Sequence, residues 1–355
     1  MRLADARIGY AGYSRDFSGP GDRRRFCAYA GHRGLGFERA RLDRDYDLVL
    51  VTHNGDIPGW TDFNQHDPGQ TIFVFELADS YLTQTGLVRR FLKGVARYAL
   101  GVDSRFSPDF LKTLIRACEC ADVVICSTDE QAAMIRRYTP KVVTSFDYFG
   151  GDLGPPKEDY RRSGKLRLVW EGQSTTLSNI RILRDVLNDL RDRVELHVVT
   201  DPLVYRYFGR FLPHASRDLL KGFKCDVHFH PWDRTTFSTD ITAADAAIIP
   251  IDGTNRFAMG KPENKLVMLW QLGMPVLASP TPAYTRTMGG AGIDMLCATS
   301  ADWRVQLGRL IEAGPAELEA IGRRGRAFAE HAYSRDAFDA CFDRAFAAAG
   351  LSVSS

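Results

Sequence analysis

The stretch Lys261-Pro-Glu-Asn-Lys-Leu-Val-Met-Leu-Trp-Gln-Leu-Gly-Met-Pro-Val-Leu-Ala-Ser279 decides how the rest of the chain is read. It reads as a helix followed by a buried strand. Pro262 suits the first helical position, where its missing N–H is no loss and its φ is preset. Leu266, Leu269, Trp270 and Leu272 give the helix an apolar face, Gly273 stops it, and Pro275 opens the strand Val276-Leu-Ala-Ser279. In the first turn Lys261, Glu263, Asn264 and Lys265 crowd the positive end of the helix dipole. Lys261 and Lys265 are one turn apart and share a face. Free amides, two ammonium groups and a side-chain amide at that place suit a phosphate or diphosphate. The plain alternative is a capped surface helix with charged residues in its first turn.

Outward from this stretch the chain alternates strands and helices. Tyr46 to Thr52, Thr71 to Leu77, Val123 to Thr128, Leu166 to Glu171, Glu195 to Thr200 and Ala246 to Ile251 are apolar runs of strand length. Such runs belong to strands covered on both faces, as in parallel α/β sheets. Arg7 to Tyr13, Val142 to Phe146, Val227 to Trp232 and Asp294 to Ala298 add further strands. Helical stretches cover about 23–30, 81–100, 108–120, 177–190, 315–332 and 334–349, with Asp129 as a cap for another. Between Tyr148 and Gly164, glycines, prolines and a charged run read as a linker. Two strand–helix series so joined predict two doubly wound α/β domains facing one another across a cleft. Ligands in such sheets bind at the carboxyl ends of strands. That places the loops at Gly19/Gly21, His53/Asn54, Glu76 to Asp79 and Ser127/Thr128 together in the first domain. In the second it gathers Gly172 to Thr176, Trp232/Asp233, Asp252/Gly253 and Lys261 to Lys265.

Composition narrows the class. With 355 residues, 45% hydrophobic and 25% charged, the chain is long enough for two ordinary globular cores. A formal net charge of +2 argues against a dedicated nucleic-acid binder. No apolar run approaches the ~20 residues a membrane span needs, and no secretion signal is read at the start. Seven cysteines without a framework fit a reducing cytoplasm, and Cys118, Cys126 and Cys297 read as buried apolar residues. Cys118-x-Cys120 lacks a second pair for zinc. Cys225, His228 and His230 are a better cluster, although His228-Phe-His230 reads more simply as surface histidines on a strand. No metal site is assigned.

Several motifs fail. Gly31-His-Arg-Gly34-Leu-Gly36 has the wrong spacing for a dinucleotide fingerprint and follows a helix. Asp43-Arg-Asp45 precedes a strand, whereas a metal-binding D-x-D must follow one. There is no P-loop and no serine-hydrolase elbow.

The second half resembles the donor domain of GT-B glycosyltransferases, especially the family-4-like group that builds bacterial polysaccharides and glycolipids. Leu168-Val-Trp-Glu-Gly-Gln173, Asp245-Ala-Ala-Ile-Ile-Pro250 and the opening stretch through Gly273-Met-Pro-Val-Leu-Ala278 carry the likeness. It spans about 160–335; the first half matches only in its strand–helix order. The resemblance implies an acceptor-binding Rossmann-like domain over 1–150, a linker over 151–164 and a donor-binding domain over 165–333. A C-terminal helix over 334–355 then packs back on the first domain. It also implies metal-independent transfer from a nucleotide sugar to a glycan or lipid-linked acceptor, without a cofactor. One departure matters. The family's paired glutamates fall in register on Gly260 and Met268, so neither is present, and Glu263 is the substitute within reach.

The leaving diphosphate gains charge as the glycosidic bond breaks, and donors already aimed at it lower the barrier. This role goes to Lys261, Asn264, Lys265 and the amides of Gly172, Gln173 and Ser174, with Thr175 and Thr176 helping. Glu263 holds donor hydroxyls or is an ordinary acid at a helix start. Trp232 stacks on the base or packs at a strand end; Tyr284 lines the donor pocket or the core. For an inverting reaction a base is needed near the acceptor hydroxyl. Asp79, with Glu76 behind it, is the first choice, and Asp56 and His53 are the rivals. Leu87, Phe91, Val95 and Tyr98 recur at helical spacing among four cations over 87–98. That pattern suits an anionic membrane surface, or a stripe packed on the core with solvated cations. A catalytically silent sugar-nucleotide binder and a sugar-nucleotide epimerase are the alternatives to a transferase.

Overall fold

The computed structural model describes residues 1–66, 69–84, 86–206 and 211–353. The chain divides into two compact units. The first comprises Met1–Tyr148, Gly260–Pro262 and the segment from Tyr333 onward; the second comprises Phe149–Met259 and Glu263–Ala332.

In the first unit, β1 (Ile8–Ala11), β2 (Phe37–Arg39), β3 (Leu48–Thr52), β4 (Ile72–Leu77), β5 (Val123–Cys126) and β6 (Val142–Thr144) form one sheet in the order β2-β1-β3-β4-β5-β6. Every pairing is parallel. The apolar runs are explained by burial on both faces. Leu48 and Leu50 pack with Phe26, Tyr29, Phe338 and Phe342 on one side. Val49 and Val51 pack with Ile57, Trp60, Phe110 and Leu114 on the other. The C-terminal helix Arg335–Ala348 belongs to this unit. Its Phe342 ring stacks on Tyr29 at 5.0 Å, and Asp343 and Asp339 accept from the Tyr29 hydroxyl and pair with His32 at 2.7 Å each.

The second unit holds β7 (Leu166–Glu171), β8 (Val194–Thr200), a hairpin of β9 (Leu203–Arg206) and β10 (Phe211–Ala215), then β11 (Asp226–Pro231), β12 (Ala246–Ile249) and β13 (Val276–Ala278). Its main sheet runs β11-β8-β7-β12-β13, all parallel. The helix Asn264–Gln271 is buried along Leu266–Trp270, and Trp270 meets Phe328 edge-on at 5.9 Å. At Gly273 φ is +76°, the left-handed stop that a side chain resists.

Four local readings change. The helix starts at Asn264 with Glu263 at its cap, not at Pro262. Lys261 and Pro262 cluster with the first unit, where Ser80 Oγ donates to the Gly260 carbonyl. Lys261 and Lys265 therefore do not share a helical face. Thr128, not Asp129, caps the next helix, because its Oγ1 reaches the Gln131 amide at 3.1 Å. The glycine- and proline-rich stretch packs into the second unit: Lys157 N–H donates to the Leu272 carbonyl at 2.9 Å and the buried Tyr160 hydroxyl to Gly273 at 2.7 Å. Finally, β2 and the β9–β10 hairpin are strands that the pattern did not reveal.

Candidate functional site

In the second unit the site grows from the carboxyl end of β7. After Trp170 and Glu171 the chain turns at Gly172, held by its amide to the Val199 carbonyl (3.2 Å) and by Thr200 Oγ1 donating to its carbonyl (2.6 Å). Gly172 has φ +156°, and a Cβ there would land on the Lys265 ammonium. Lys265 reaches across from its helix, donates to the Glu171 carbonyl and sits 4.7 Å from the centre of the Trp170 ring. Glu263, at the start of the same helix, is buried. So is Tyr284, in the helix Pro282–Ala291 that Thr281 caps. Burial first, then the charges of Glu263 and Glu171, push the Tyr284 phenol well above its usual pKa. One ammonium, two carboxylates and a neutral phenol thus meet at the end of one strand.

The neighbouring residues divide. Gln173 and Thr175 are exposed beside this cluster. The Ser174 amide already donates to Asp201 (3.3 Å) and its hydroxyl to the Leu203 carbonyl (2.9 Å), so it is not a free donor for a ligand. Asn264 opens the helix. Trp232 follows β11 with its ring stacked on Phe237 at 5.5 Å. Glu171 was not singled out from sequence, although its place between Trp170 and Gly172 at a strand end was the available signal.

In the first unit the carboxyl ends of β3 and β4 bring together His53, Asp79 and Tyr81. His53 Nε2 lies 3.7 Å from Asp79 Oδ2, and its ring meets Tyr13 and Tyr81 edge-on at 5.2 and 5.0 Å. Its Nδ1 is buried with no hydrogen-bond partner among the described residues. Burial, then Lys93, Arg97 and Arg25, bring the His53 imidazole down to about 3, so it is neutral at ordinary pH. Lys93 stands 3.4 Å over the Tyr81 ring, and burial with the nearby Arg97 charge brings its ammonium down to about 7.

Glu76 is otherwise engaged than as a base. It is fully buried, accepts from Arg25 Nε at 2.6 Å and from the Tyr13 hydroxyl at 3.1 Å, and Arg25 turns also to Asp147 at 3.1 Å. Asp56 accepts from the Gly59 and Ser104 amides (3.0 and 3.1 Å), tying a helix start to a loop. Gly19 and Gly21 lie in a turn built on buried Asp22, which accepts from Tyr10, Tyr13 and Ser14. A Cβ on Gly21 would strike the Tyr13 ring, a packing reason for glycine.

The helix Leu87–Ala99 inverts the expected packing. Three of its four cations face the protein: Arg90 pairs with Asp109, Arg97 with Asp103 at 2.7 Å, and Lys93 lies between the Tyr81 and Phe110 rings, while Arg89 is exposed. Its apolar residues face outward. Leu87 and Val88 are each 73% exposed, with Phe91, Leu92 and Tyr98 about half exposed, and Phe106 beyond the helix meets Tyr98 at 5.7 Å. The stripe does not pack on the core.

The His53 shift has a measurable consequence. Its folded-state pKa lies below its unfolded value, so the unfolded chain binds the extra proton between about pH 6.5 and 3, and stability falls as pH falls through that window. From pH 6.5 to 4.5 the loss should approach roughly 2–3 kcal/mol. Urea unfolding at those two pH values, repeated with His53→Asn, measures it; an unchanged pH slope in the variant would contradict the assignment.

Two parallel Rossmann-like sheets with these connections are those of the GT-B fold. No protein-family model and no curated protein matches the sequence. Solved structures do share the fold. TarM superposes with a TM-score of 0.61 at 11% identity over 84% of this chain and 54% of its own, so the chain spans about half the length of TarM. HepE of Anabaena, solved with UDP and glucose, gives 0.55 at 13% identity over 90% and 88%. OtsA gives 0.54 at 9% identity over 89% and 74%.

Proposed function

We propose that this chain transfers a sugar from a nucleotide-sugar donor to a glycan or lipid-linked acceptor, without a metal at the diphosphate. The observation that carries the reading is the Lys265 ammonium fixed over Gly172 with Glu263 and Tyr284 beside it. The ammonium is positioned to neutralise charge as the diphosphate leaves. Asn264, Gln173 and Thr175 of the same unit add polar groups around it, Glu263 and Tyr284 hold sugar hydroxyls, and Trp232 offers a face to the base; Lys261 remains a proposed diphosphate ligand by its charge alone. HepE, a fold neighbour solved with UDP and glucose, makes UDP the first nucleotide to try.

Asp79 is the proposed base. Neutral His53, its Nδ1 buried, sets its Nε2 edge 3.7 Å from the Asp79 carboxylate and limits where that side chain can turn. Thermal shifts with UDP, GDP, CMP and dTDP sugars should find the donor, followed by transfer assays on wild type and Lys265→Ala. Absence of nucleotide binding, or conversion of UDP-N-acetylglucosamine alone to an epimer, would overturn the reading.

The outward apolar face of Leu87–Ala99 suits the interfacial zone of a membrane that presents a lipid-linked acceptor. Among the described residues no helix is long and apolar enough to cross a membrane. Because three of its four cations are engaged inward and only Arg89 is exposed, attachment should depend on apolar area more than on anionic lipid. Liposome flotation should be retained in high salt and lost in Phe91→Asp/Leu92→Asp; flotation that survives the double variant would refute it.

A further inference from the structure

The parallel register of β8 and β11 sets His197 opposite His228 and Glu195 opposite Asp226. Strand alternation puts Glu195 and His197 of β8 on the same sheet face as His228 and His230 of β11. The side chains converge. His197 Nε2 is 3.2 Å from Glu195 Oε1, and His228 Nε2 is 3.9 Å from Glu195 Oε2. One ligating atom from each of the three lies within 4.8 Å of the others. The His197 ring stacks against those of His228 and His230 at 4.7 and 5.3 Å.

We propose that Glu195, His197 and His228 form a binding site for a divalent transition-metal ion, with Zn²⁺ as the first candidate and with His230 and Asp240 as its outer support. Metal bonds of about 2.0–2.2 Å in a tetrahedron hold ligand atoms roughly 3.3 Å apart, which the 3.2 Å His197–Glu195 pair already meets and which His228, 3.9 Å from Glu195, reaches by a small side-chain shift. Two imidazoles and one carboxylate suit zinc, and borderline ions generally, better than magnesium or calcium, which take oxygen ligands. The outer groups fit the same role. His230 Nε2 lies 3.0 Å from His197 Nδ1, and His230 Nδ1 lies 3.7 Å from Asp240. A ligating histidine needs such a partner on its second nitrogen to fix the tautomer that leaves Nε2 free for the metal. The half-exposed His228 ring leaves room for water in the fourth position.

The cluster lies on the sheet face, away from the strand ends where Glu171 and Lys265 meet. A metal here clips the edge strand β11 to β8 and is structural rather than part of sugar transfer. Cys225, which the sequence grouped with these histidines, is a buried thiol just before β11 and is not among the three ligands.

Chelator-treated full-length protein titrated with ZnCl₂, by calorimetry and metal analysis, should take up one equivalent and unfold at a higher temperature. CoCl₂ should give the visible absorption of a tetrahedral site. His228→Ala and Glu195→Gln should each weaken zinc binding by about 100-fold, and His230→Gln by about 10- to 100-fold. His66→Ala, an exposed histidine of the other unit, should change nothing. The proposal fails if the wild type takes up no zinc at micromolar concentration, or if His228→Ala binds it with unchanged stoichiometry and affinity.

Discussion

Lys265→Ala should lower sugar transfer by about 100- to 1,000-fold, the effect of removing one well-aimed donor to a developing anion. The loss should appear mainly in kcat, because the ammonium gains most as the diphosphate acquires charge, with a smaller weakening of nucleotide binding. Stability should change little. Lys265 is partly buried and gives up a hydrogen bond to the Glu171 carbonyl and a contact with Trp170, together worth about 1 kcal/mol. A second variant isolates geometry from charge. Gly172→Ala keeps the lysine but puts a methyl where its ammonium sits, at a φ of +156° that side chains rarely adopt. The ammonium must then move, and turnover should fall in the same range although no charge is lost. Steady-state assays on both, with UDP titrated calorimetrically, make the comparison. If Lys265→Ala turns over donor at the wild-type rate, the diphosphate is neutralised elsewhere and the assignment of this strand end is wrong.

What the sequence could disclose follows the range of the forces involved. Leu166 to Glu171 is read to the residue, because a strand buried on both faces announces itself by composition alone. Phe37–Arg39 is not, since a three-residue, partly exposed edge strand carrying two charges has no apolar signature. The chemistry of Glu263 and Lys265 is legible, whereas the helix start is displaced by two residues because Gly260–Pro262 is held by the first unit. The helix Leu87–Ala99 shows the limit best. Its periodicity is plain, but periodicity cannot tell which face turns inward. That is settled by Asp103, Asp109, Tyr81 and Phe110, which gather three of its cations from outside the helix. Likewise the metal cluster needs the β8–β11 register, which joins residues some thirty positions apart. Glu76 looked like a cleft carboxylate because it ends a strand; its partner Arg25 lies 51 residues earlier and leaves no local trace.

That ion pair supports the second large prediction. Glu76→Ala removes the carboxylate facing a guanidinium that is itself 1% exposed, and Asp147 alone must then compensate it. Leaving a buried charge short of its partner costs about 3–5 kcal/mol, far more than the pair contributes over apolar replacements. For a chain of this length the midpoint of thermal unfolding should drop by roughly 10 °C. The Tyr13 hydroxyl loses its acceptor as well, which adds to the cost. Arg25→Met should be nearly as damaging, because it strands Glu76 in turn. The pair Arg25→Met/Glu76→Leu should recover much of the loss, since neither charge then remains without its partner. A double-mutant cycle by denaturant unfolding would give a large favourable coupling under this account. Were Glu76 instead the acceptor-side base, Glu76→Gln would abolish transfer while the unfolding midpoint stayed put. Asp79→Asn should show that second pattern, because its carboxylate is one-third exposed and the His53 ring it faces at 3.7 Å is neutral. Stability should therefore follow Glu76 and turnover should follow Asp79, and assigning the two carboxylates the other way round predicts the reverse on both axes.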